Sequence, residues 1–556
     1  MESVQTALAE HIRTLFSVDI QPELTRPDPQ FGDFATNVAM QLAKQLGNNP
    51  REIAEQIVSS LQASQPVWLA RANVAGPGFI NVLLSDKELL SQATAEVPQS
   101  MAGANYVVEY SCPNAFKELH AGHLYQTIAG DVIARLLEQS GATVHRTNFG
   151  GDVGLHVAKA MWGIIATLEG ESPEKLASIE VQSQANFLSS AYVKGAAAYE
   201  DDADARREIE HYNQQIYTLH ANNDHESSFA QIYWTCRQWS YDYFDRFYER
   251  IQVNPFTYFP ESTTAEPGLK LVREGIGIGV FEESDGAIVY RGEKVGLHTR
   301  VFVTQTGLPT YETKDLGVIS LEYQQYGFDH RILITGRDQT EYMRVVYAAA
   351  GEMIPAVQGV MTHITNGLIK FADGSKMSSR LGNVTSATDV LDAVNEHMSE
   401  KDDQQIRNGL ALGAVKYAFL KQRLGGDVAF DPETSVSLQG NSGPYLQYAL
   451  VRARSILEKA GSSHVSSDGT LQEGERALVQ KMTGFSDAVR QSTLEYAPHI
   501  LCTYLYELAG VFNGFYEHNR VIGDERSDVR LELVKRYAEI LDKGLELLGI
   551  ERLAKM

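Results

Sequence analysis

Two histidines three residues apart mark the first stretch of the sequence that could do chemistry. His120 and His123 flank Gly122 in the run Pro113 to Leu124 (PNAFKELHAGHL), just before a predicted helix. Imidazoles donate to phosphate oxygens, a glycine lets an adenine ring approach the backbone, and a helix N-terminus favours negative charge. We therefore expect a nucleotide-binding motif. Two alternatives stay open: a metal pair, for which the sequence places no third ligand, and two loop histidines with a structural role.

A second stretch combines small residues with two cations. Residues Gly374 to Asn383 read GSKMSSRLGN and carry Lys376 and Arg380. Cations on a flexible loop suit a mobile clamp that offsets the negative charge developing on a leaving pyrophosphate. Taken alone, the same composition is typical of a basic surface loop. Together with the upstream histidines, it favours phosphate chemistry on a nucleotide.

The elements around the histidines predict a βαβ unit. Tyr106 to Ser111 and Thr143 to Phe149 are rich in strand-forming residues. Between them, apolar residues recur every four positions of a predicted helix, which Ser140-Gly141 ends: Leu124, Ile128, Val132 and Leu136. Such a unit predicts a parallel sheet that binds its ligand at the carboxyl ends of the strands. Ile332 to Thr335 predicts a further buried strand, followed by a helix.

The remaining regions differ in their patterns. The first 100 residues predict a small α+β unit with an amphipathic opening helix and a helix through Thr36 to Leu46. Glu169 to Tyr258 is helical and charged, with an aromatic stripe that favours helix packing over ligand or RNA stacking. Phe281 to Val303 predicts hairpins, and the chain from Gly443 onward is periodic like helices.

Composition limits the class of protein. The 556 residues include 43% hydrophobic residues and only three cysteines without metal-site spacing, which argues against a disulfide framework or a cysteine zinc site. The formal charge of -23 argues against indiscriminate coating of nucleic acid. No signal-peptide pattern or long apolar run occurs. We expect a multi-domain, cytoplasmic protein that does not span a membrane.

The histidine motif and the loop, in this order around a Rossmann-like segment, resemble the paired signature of class I aminoacyl-tRNA synthetases. Further runs resemble the arginyl-tRNA synthetases in particular: Glu109 to Asn114 (EYSCPN), Thr310 to Leu316 (TYETKDL), Gly32 to Asn37 (GDFATN), Gly76 to Asn81 (GPGFIN) and Asn441 to Leu457 (NSGPYLQYALVRARSIL). The resemblance extends from about Gln30 to the last residue.

The resemblance implies a Rossmann-like α/β catalytic core with a parallel sheet, a small α+β N-terminal domain and an all-α anticodon-binding domain. We expect the N-terminal, tRNA-contacting domain at 1–103 and the catalytic domain at 104–436, with a largely helical insertion at about 169–300. The anticodon-binding domain is expected at 437–556. The implied reaction is ATP-dependent ligation of L-arginine to the 3' end of its tRNA through an arginyl-adenylate, and activation requires bound tRNA.

The resemblance also implies the site residues. The expected arginine ligands are Glu109, Ser111, Asn114, Tyr311, Asp315 and Gln339. The expected ATP ligands are His120, Gly122, His123, Gly336, Asp338, Lys376, Met377 and Ser378. The expected catalytic residues are Lys117, His120, His123 and Lys376. The expected tRNA contacts are Tyr445, Tyr448, Arg452 and Arg454. Physical chemistry agrees with the acidic pair Glu109 and Asp315, because carboxylates match the planar, five-donor guanidinium better than they match a lysine ammonium.

Two departures from the family pattern concern the nucleotide site. Ser379 stands where the class loop usually ends in a second lysine, and Lys117 is expected to compensate, as in many family members. Tyr125 stands where relatives often have arginine. We expect Mg²⁺ to arrive with ATP, no zinc, and a monomer with tRNA, arginine and ATP as partners. The open alternatives are a class I synthetase of other specificity, such as cysteinyl or glutamyl, and a non-catalytic RNA-binding paralogue.

Overall fold

A computed structural model describes residues 2–371, 386–398, 403–461 and 470–556. The N-terminal part is an α+β unit, as the sequence predicts, with α1 (Glu2–Phe16), β1 (Phe34–Thr36), α2 (Val38–Leu46), α3 (Pro50–Ser64), β2 (Leu69–Ala75), β3 (Phe79–Leu84) and α4 (Asp86–Gln92). Its strands form an antiparallel sheet in the order β1-β3-β2. The helix predicted from Thr36 begins at Val38 instead, because Thr36 pairs with Ile80 of β3.

The next segment contains the βαβ unit and a helical region. Its elements are β4 (Asn105–Glu109), α5 (Ala121–Gln139), β5 (Thr143–Asn148), α6 (Leu155–Leu168), α7 (Gln184–Asp201), α8 (Ala203–Ala221) and α9 (Ser228–Arg250). The aromatic stripe lies on α9, where Tyr233, Phe244 and Phe247 are buried in the helix packing. This agrees with the prediction of a packing role.

A small antiparallel sheet follows. The elements are β6 (Thr257–Tyr258), α10 (Glu261–Gly277), β7 (Phe281–Ser284), β8 (Ala287–Tyr290) and β9 (Arg300–Val303). β7, β8 and β9 form the predicted hairpins. β6 instead pairs with β5, so the stretch 169–300, predicted as an insertion, also contains a strand of the main sheet.

The elements that complete the main sheet come later in the chain: α11 (Tyr311–Tyr326), β10 (His330–Gly336), α12 (Thr340–Met353), β11 (Met361–Asn366) and β12 (Ile369–Phe371). The main sheet has five parallel strands in the order β11-β10-β4-β5-β6. β4 is buried on both faces, with Val108 packed toward α5 and Val107 toward α11 and α12. This agrees with the predicted parallel sheet, in which helices cover both faces.

The rest of the described chain is mostly helical, and its part from Gly443 onward confirms the helices predicted there. Its elements are α13 (Ala387–Asn395), α14 (Gln404–Leu420), β13 (Val428–Phe430), α15 (Pro432–Ser435), α16 (Gly443–Ala460), α17 (Glu473–Met482), α18 (Phe485–Leu494), α19 (Pro498–His518) and α20 (Ser527–Leu547). β13 pairs in parallel with β12. Arg26 of the N-terminal unit binds Asp487 at 2.8 Å, so this helical part also contacts the beginning of the chain. Within the described ranges, no helix has both the length and the apolar character needed to cross a bilayer.

α5 connects the sheet to the C-terminal helices. Its residues Ile133 and Leu137 pack in the cluster under the sheet, while Leu124, Ile128 and Val132 belong to the larger core shared with α14, α16, α19 and α20. Burial on two sides explains why the apolar positions of this helix extend beyond one stripe. It also fixes the N-terminal end of α5, where the two histidines lie.

Candidate active site

A cavity of about 1060 Å³ opens at the carboxyl ends of the central strands. Glu109 ends β4, Gly336 ends β10 and Asn366 ends β11, and all three line this cavity. Since parallel strands end at one edge of the sheet, this is the position that the βαβ pattern predicts for a ligand. The register places Leu333 beside Glu109, and Gly336 beside Asn366. Gly336 therefore lies three residues, about 10 Å, further along the strand direction than the level of Glu109.

Glu109 lies at the deep level of the cavity in a buried ion-pair network. One guanidinium nitrogen of Arg331 donates to Glu109 Oε2, and Arg331 Nε donates to Glu322 Oε2 at 2.6 Å. The three side chains are at most 1% exposed. Burial raises the pKa of Glu109, and the charge of Arg331 opposes that rise. The carboxylates of Glu109 and Glu322 therefore share one cation, the guanidinium of Arg331.

Asp315, in the first turns of α11, lines the same cavity as Glu109. Its Oδ2 accepts a hydrogen bond from the Tyr342 hydroxyl, and both residues line the cavity. Burial raises the pKa of Asp315 to about 7, against the lowering effects of the Tyr342 hydrogen bond and the Arg331 charge. The acidic pocket, which we define as Glu109, Asp315, Tyr311 and Tyr342, thus holds two carboxylates that burial pushes toward the neutral form.

A second ion pair flanks the acidic pocket. Glu261, the first residue of α10, accepts from Lys314 Nζ at 2.8 Å, and both side chains are buried. The ammonium of Lys314 also lies 4.6 Å from the centre of the Tyr311 ring. Because Glu261 has its own cation, the charge of the acidic pocket comes from Glu109 and Asp315, with Glu322 behind them.

The two histidines form a closed pair at the N-terminus of α5. The backbone N–H of His123 donates to His120 Nδ1, and the backbone N–H of His120 donates to His123 Nδ1, both at 3.2 Å. The rings stack with their centres 3.6 Å apart. Burial, followed by the ammonium of Lys117, lowers the pKa of His120 to about 4, and burial followed by His120 and Lys117 lowers that of His123 well below its usual range. Neutral imidazoles whose Nδ1 atoms accept carry their proton on Nε2, so each presents an N–H donor to an anion.

Three glycines make room for lining side chains. A Cβ at Gly122 would lie 2.9 Å from the His120 ring, so this glycine permits the histidine pair itself. A Cβ at Gly336 would lie 2.6 Å from Asp338 Oδ1, and one at Gly151 would lie 2.3 Å from Asn114 Oδ1. At these two positions a side chain would displace a polar group from the cavity wall.

Most of the residues predicted for arginine and ATP are brought together in this cavity. The predicted residues that line it are Glu109, Asn114, His120, Gly122, His123, Tyr311, Asp315, Gly336, Asp338 and Gln339. Lys376, Met377 and Ser378 lie outside the described residues. The described residues nearest to that loop reach the cavity region on both sides, since Lys370 lines the cavity and Ser386 forms a β-bridge with His120.

Two predicted residues do not line the cavity. Ser111 has a left-handed backbone with φ of 73°, and its hydroxyl points into the core, 2.8 Å from Tyr248 Oη and from Thr127 Oγ1. The ammonium of Lys117 lies 3.7 Å from the centre of the Tyr192 ring on α7. Its charge is still close enough to lower the pKa of both histidines.

The four residues predicted for tRNA lie on α16 in different surroundings. Tyr448 is 41% exposed, whereas the Tyr445 hydroxyl accepts from Asn513 at 2.8 Å. The guanidinium of Arg452 lies 4.5 Å from the centre of the Tyr516 ring. Arg454 donates to Asp542 and to the carbonyl of Leu553, so intramolecular partners occupy its guanidinium.

Sequence reasoning missed several lining residues. They include Cys112, Gln126, Gly151, Glu261, Arg337, Tyr342, Asn366 and Lys370. Asn366-Gly367 could have been found, because a polar residue and a glycine directly follow the β-rich run of β11. Tyr342 gave no such signal, since an aromatic residue in the first turn of a helix usually packs in the core.

Comparisons with known proteins identify the family of this chain. Three family models match in order along the chain: the arginyl tRNA synthetase N terminal domain at 2–84, the class I (R) tRNA synthetase catalytic domain at 83–431, and the DALR anticodon binding domain at 446–556. The arginine–tRNA ligase of Vibrio campbellii is 31% identical over 564 residues, which cover 95% of this chain and 94% of the relative. The arginine–tRNA ligase of Haemophilus influenzae is 30% identical over the same shares of both chains.

Solved structures show the same fold. The arginyl-tRNA synthetase of Thermus thermophilus matches with a TM-score of 0.79 at 22% identity, over 100% of both chains. That of Plasmodium falciparum matches with a TM-score of 0.77 at 22% identity, over 100% of this chain and 99% of the other. With the catalytic model alone covering more than half of its residues, the chain belongs to the arginyl-tRNA synthetase family.

Proposed function

We propose that this protein ligates L-arginine to its tRNA in two steps at the cavity described above. In the first step the arginine carboxylate attacks the α-phosphorus of ATP, the bond to the β-phosphate oxygen breaks, and pyrophosphate leaves. In the second, the 2'-hydroxyl of the terminal tRNA adenosine attacks the carbonyl carbon of arginyl-adenylate, loses its proton, and AMP leaves. Full-length similarity to arginine–tRNA ligases supports this assignment.

The acidic pocket carries the arginine specificity in this proposal. Glu109 and Asp315 come from different elements, β4 and α11, and converge on one cavity. Glu109 Oε2 and Asp315 Oδ2 already have strong donors, whereas Glu109 Oε1 accepts only a weak hydrogen bond from the Cys112 thiol, so each carboxylate has one oxygen that a ligand can bind. A guanidinium presents several donors in one plane and can bridge two such oxygens, whereas an ammonium cannot match both in the same way. Asn114 and Gln339 hold the α-amino and carboxylate end.

The nucleotide lies against the histidine pair and the turn after β10. His120 and His123 present Nε2–H donors at the N-terminus of a 19-residue helix, where the macrodipole also favours phosphate. In this proposal Gly336 and Asp338 bind the ribose, and Lys376, Met377 and Ser378 bind phosphate. Positioning and electrostatic stabilisation then carry most of the catalysis, as is general for phosphoryl chemistry.

The C-terminal helices bind the anticodon in this proposal, with Tyr448 as the best exposed of the predicted α16 contacts. The N-terminal unit contacts the outer corner of the tRNA. Mg²⁺ arrives on the ATP phosphates, and the described residues contain no cluster of three or more metal-ligating side chains. The proposal also includes the absence of zinc, a monomeric enzyme and a cytoplasmic location, which rest on the resemblance and on composition.

A charging assay tests the function. Purified protein, ATP, Mg²⁺ and total tRNA are incubated with each of the twenty amino acids, and the aminoacyl-tRNA formed is measured. We expect arginine alone to be attached, and pyrophosphate exchange with arginine to depend on added tRNA. Greater charging with another amino acid would indicate a class I enzyme of other specificity. Binding of tRNA without charging by any amino acid would indicate a non-catalytic RNA-binding paralogue.

A further inference from the structure

One strong protein donor holds each of the two carboxylates of the acidic pocket. Arg331 binds Glu109 through Oε2, and Tyr342 binds Asp315 through Oδ2. The thiol of Cys112 donates a long, weak hydrogen bond of 3.8 Å to the remaining oxygen of Glu109. Within the part of the chain that the structure describes, the remaining oxygen of Asp315 accepts no hydrogen bond. Each carboxylate therefore directs one oxygen at the protein and leaves the other for the cavity.

Arg331 does not occupy the ligand's place in the empty cavity and then move away when arginine binds. It lies on β10 between β4 and β11, where its backbone pairs with Val107 and Met361. Its Nε is bound to Glu322, whose other oxygen accepts from Thr147 at 2.5 Å. Each position of this network is fixed by a buried strand or helix, so Arg331 is a permanent partner of Glu109.

Tyr342 is held just as firmly. It lies in the first turn of α12, and its ring faces the guanidinium of Arg300 at 5.4 Å. Arg300 in turn pairs with Glu312 on α11, three residues before Asp315. The tyrosine is thereby oriented by the helix that carries the carboxylate it binds. A single hydroxyl then decides which way the Asp315 carboxylate is rotated.

We propose that Arg331 and Tyr342 are positioning residues, which orient Glu109 and Asp315 so that one oxygen of each meets the guanidinium of the substrate. The proposal rests on the function proposed above and names the groups that set its arginine specificity. A guanidinium that bridges two oxygens from separate carboxylates needs both at fixed angles, because bidentate recognition is geometric as well as electrostatic. Neither residue needs to touch the reacting atoms.

The charged groups around the acidic pocket predict how arginine binding depends on pH. Asp315 is faced by Tyr342 from α12, Arg331 from β10, Glu312 from its own helix and Glu261 from α10. Glu109 is faced by Arg331, by Glu322 and Asp315 from α11, and by Cys112. Arg331 and the Tyr342 hydrogen bond both favour the ionised form of Asp315. Loss of either partner should therefore raise the pKa of the carboxyl group it holds and weaken arginine binding at neutral pH.

Tyr342→Phe is the decisive variant, because it removes one hydroxyl and keeps the ring. We expect the KM for arginine to rise about tenfold at pH 7, with the KM for ATP and the kcat at saturating arginine within twofold. We also expect the pH at which the arginine KM begins to rise, as pH falls, to move upward in the variant. A tyrosine that only fills space would leave that pH profile unchanged.

Tyr290→Phe is the matched control. The Tyr290 hydroxyl also donates to a carboxylate, Glu352, at 2.5 Å, but this pair lies outside the cavity lining. The control should leave both the arginine KM and its pH profile at wild-type values. If the control and Tyr342→Phe behave alike, the proposed role of Tyr342 is wrong.

Arg331→Lys tests the other half of the proposal. It keeps a positive charge but replaces the fork that spans Glu109 and Glu322, so we expect a raised arginine KM with an unchanged ATP KM. Arg331→Met also removes the charge, so the pH below which the arginine KM rises should be higher than in Arg331→Lys. Circular dichroism establishes whether this variant folds. If Arg331→Lys has the wild-type arginine KM, Arg331 does not position Glu109. Failure of the wild type to charge tRNA with arginine would instead refute the proposed function, so the two failures are distinguishable.

Discussion

The acidic pocket and the histidine pair line one cavity but are prepared for ligands in opposite ways. At the acidic pocket, burial raises the pKa of Asp315 to about 7 and partly offsets the negative charge that awaits a cation. At the histidine pair, burial lowers the pKa of His120 to about 4, so the imidazoles stay neutral and offer N–H donors to an anion. In both places desolvation favours the neutral form.

The two regions differ in whether ligand binding changes the protonation state of the protein. In the proposed arginine site, a guanidinium binds the ionised form of Asp315, so we expect arginine binding to be coupled to the release of a proton. A phosphate finds two neutral donors and a helix N-terminus that need no change of protonation. We therefore expect the acidic pocket to select its ligand by charge and the histidine pair to select its ligand by geometry. Variants of the acidic pocket should therefore change the KM for arginine, and variants of the histidine pair should change the KM for ATP.

Asp315→Ala should have the largest effect. It removes one of the two carboxylates of the acidic pocket and leaves the Tyr342 hydroxyl without its acceptor. We expect the KM for arginine to rise about 100-fold or more, because truncating one partner of a buried charged contact typically costs 2–5 kcal/mol. The KM for ATP should stay within about twofold, since the histidine pair is untouched. Steady-state aminoacylation with either substrate varied measures both constants.

Asp392→Ala is a suitable control for that experiment. Asp392 is exposed and pairs with Arg250 at 2.7 Å, outside the cavity lining. It should leave the arginine KM unchanged. Asp315→Ala kinetics that match this control would contradict the role of Asp315 in arginine binding.

Gly122→Ala should have the next largest effect, and on the other region. The added Cβ would lie 2.9 Å from the His120 ring and force the imidazole out of its stack with His123. We expect the KM for ATP to rise, or kcat to fall, by about tenfold, because small misplacement of positioning groups is costly. Equilibrium binding of arginine should change little.

Gly510→Ala supplies the matched glycine control, since a Cβ there meets no atom within 4 Å. Unchanged ATP kinetics in Gly122→Ala, or a defect in arginine binding of the same size, would show that the two regions do not act separately on ATP and arginine.

The sequence predicts well the elements and motifs that form the site, because these depend on local patterns. The βαβ unit follows from the four-residue spacing in α5 and from the strands around it. The convergence of Glu109 with Asp315 follows from the family motifs, together with the rule that ligands bind at strand ends. The histidine pair also follows, since a glycine between two histidines at a helix start is visible in the sequence.

The partners of these residues depend on register and backbone angles, which the sequence does not show. Arg331 lies just before the predicted strand at Ile332, and only the pairing of β10 with β4 brings it to Glu109. Ser111 belongs to the motif that suggests an arginine ligand, yet its left-handed backbone turns the hydroxyl toward Tyr248. Strand β1 was missed because its partner β3 lies more than 40 residues further along the chain.

The proton coupling of the acidic pocket is the smallest expected effect. The pKa of Asp315 is about 7 in the free protein, above its ordinary value near 4, so the carboxyl is about half protonated at pH 7. The ionised form binds the guanidinium, so arginine affinity rises as pH rises through 7 and falls as pH drops below it. Ionisation of Asp315 by itself should make the affinity about twofold lower at pH 7 than at pH 9, with release of about half a proton, and ionisation of Glu109 adds to both effects.

Calorimetric titration with arginine measures this release, because the observed heat then varies with the ionisation enthalpy of the buffer. Phosphate and Tris at pH 7 should give different heats for the wild type, and the difference should be smaller for Asp315→Asn, which has no carboxyl group at position 315. Burial also raises the pKa of Glu109, so Glu109 releases a proton in the same direction, and the difference that remains in Asp315→Asn is assigned to it. Proton uptake by the wild type would mean that the arginine site does not gain its charge in the way that distinguishes it from the histidine pair.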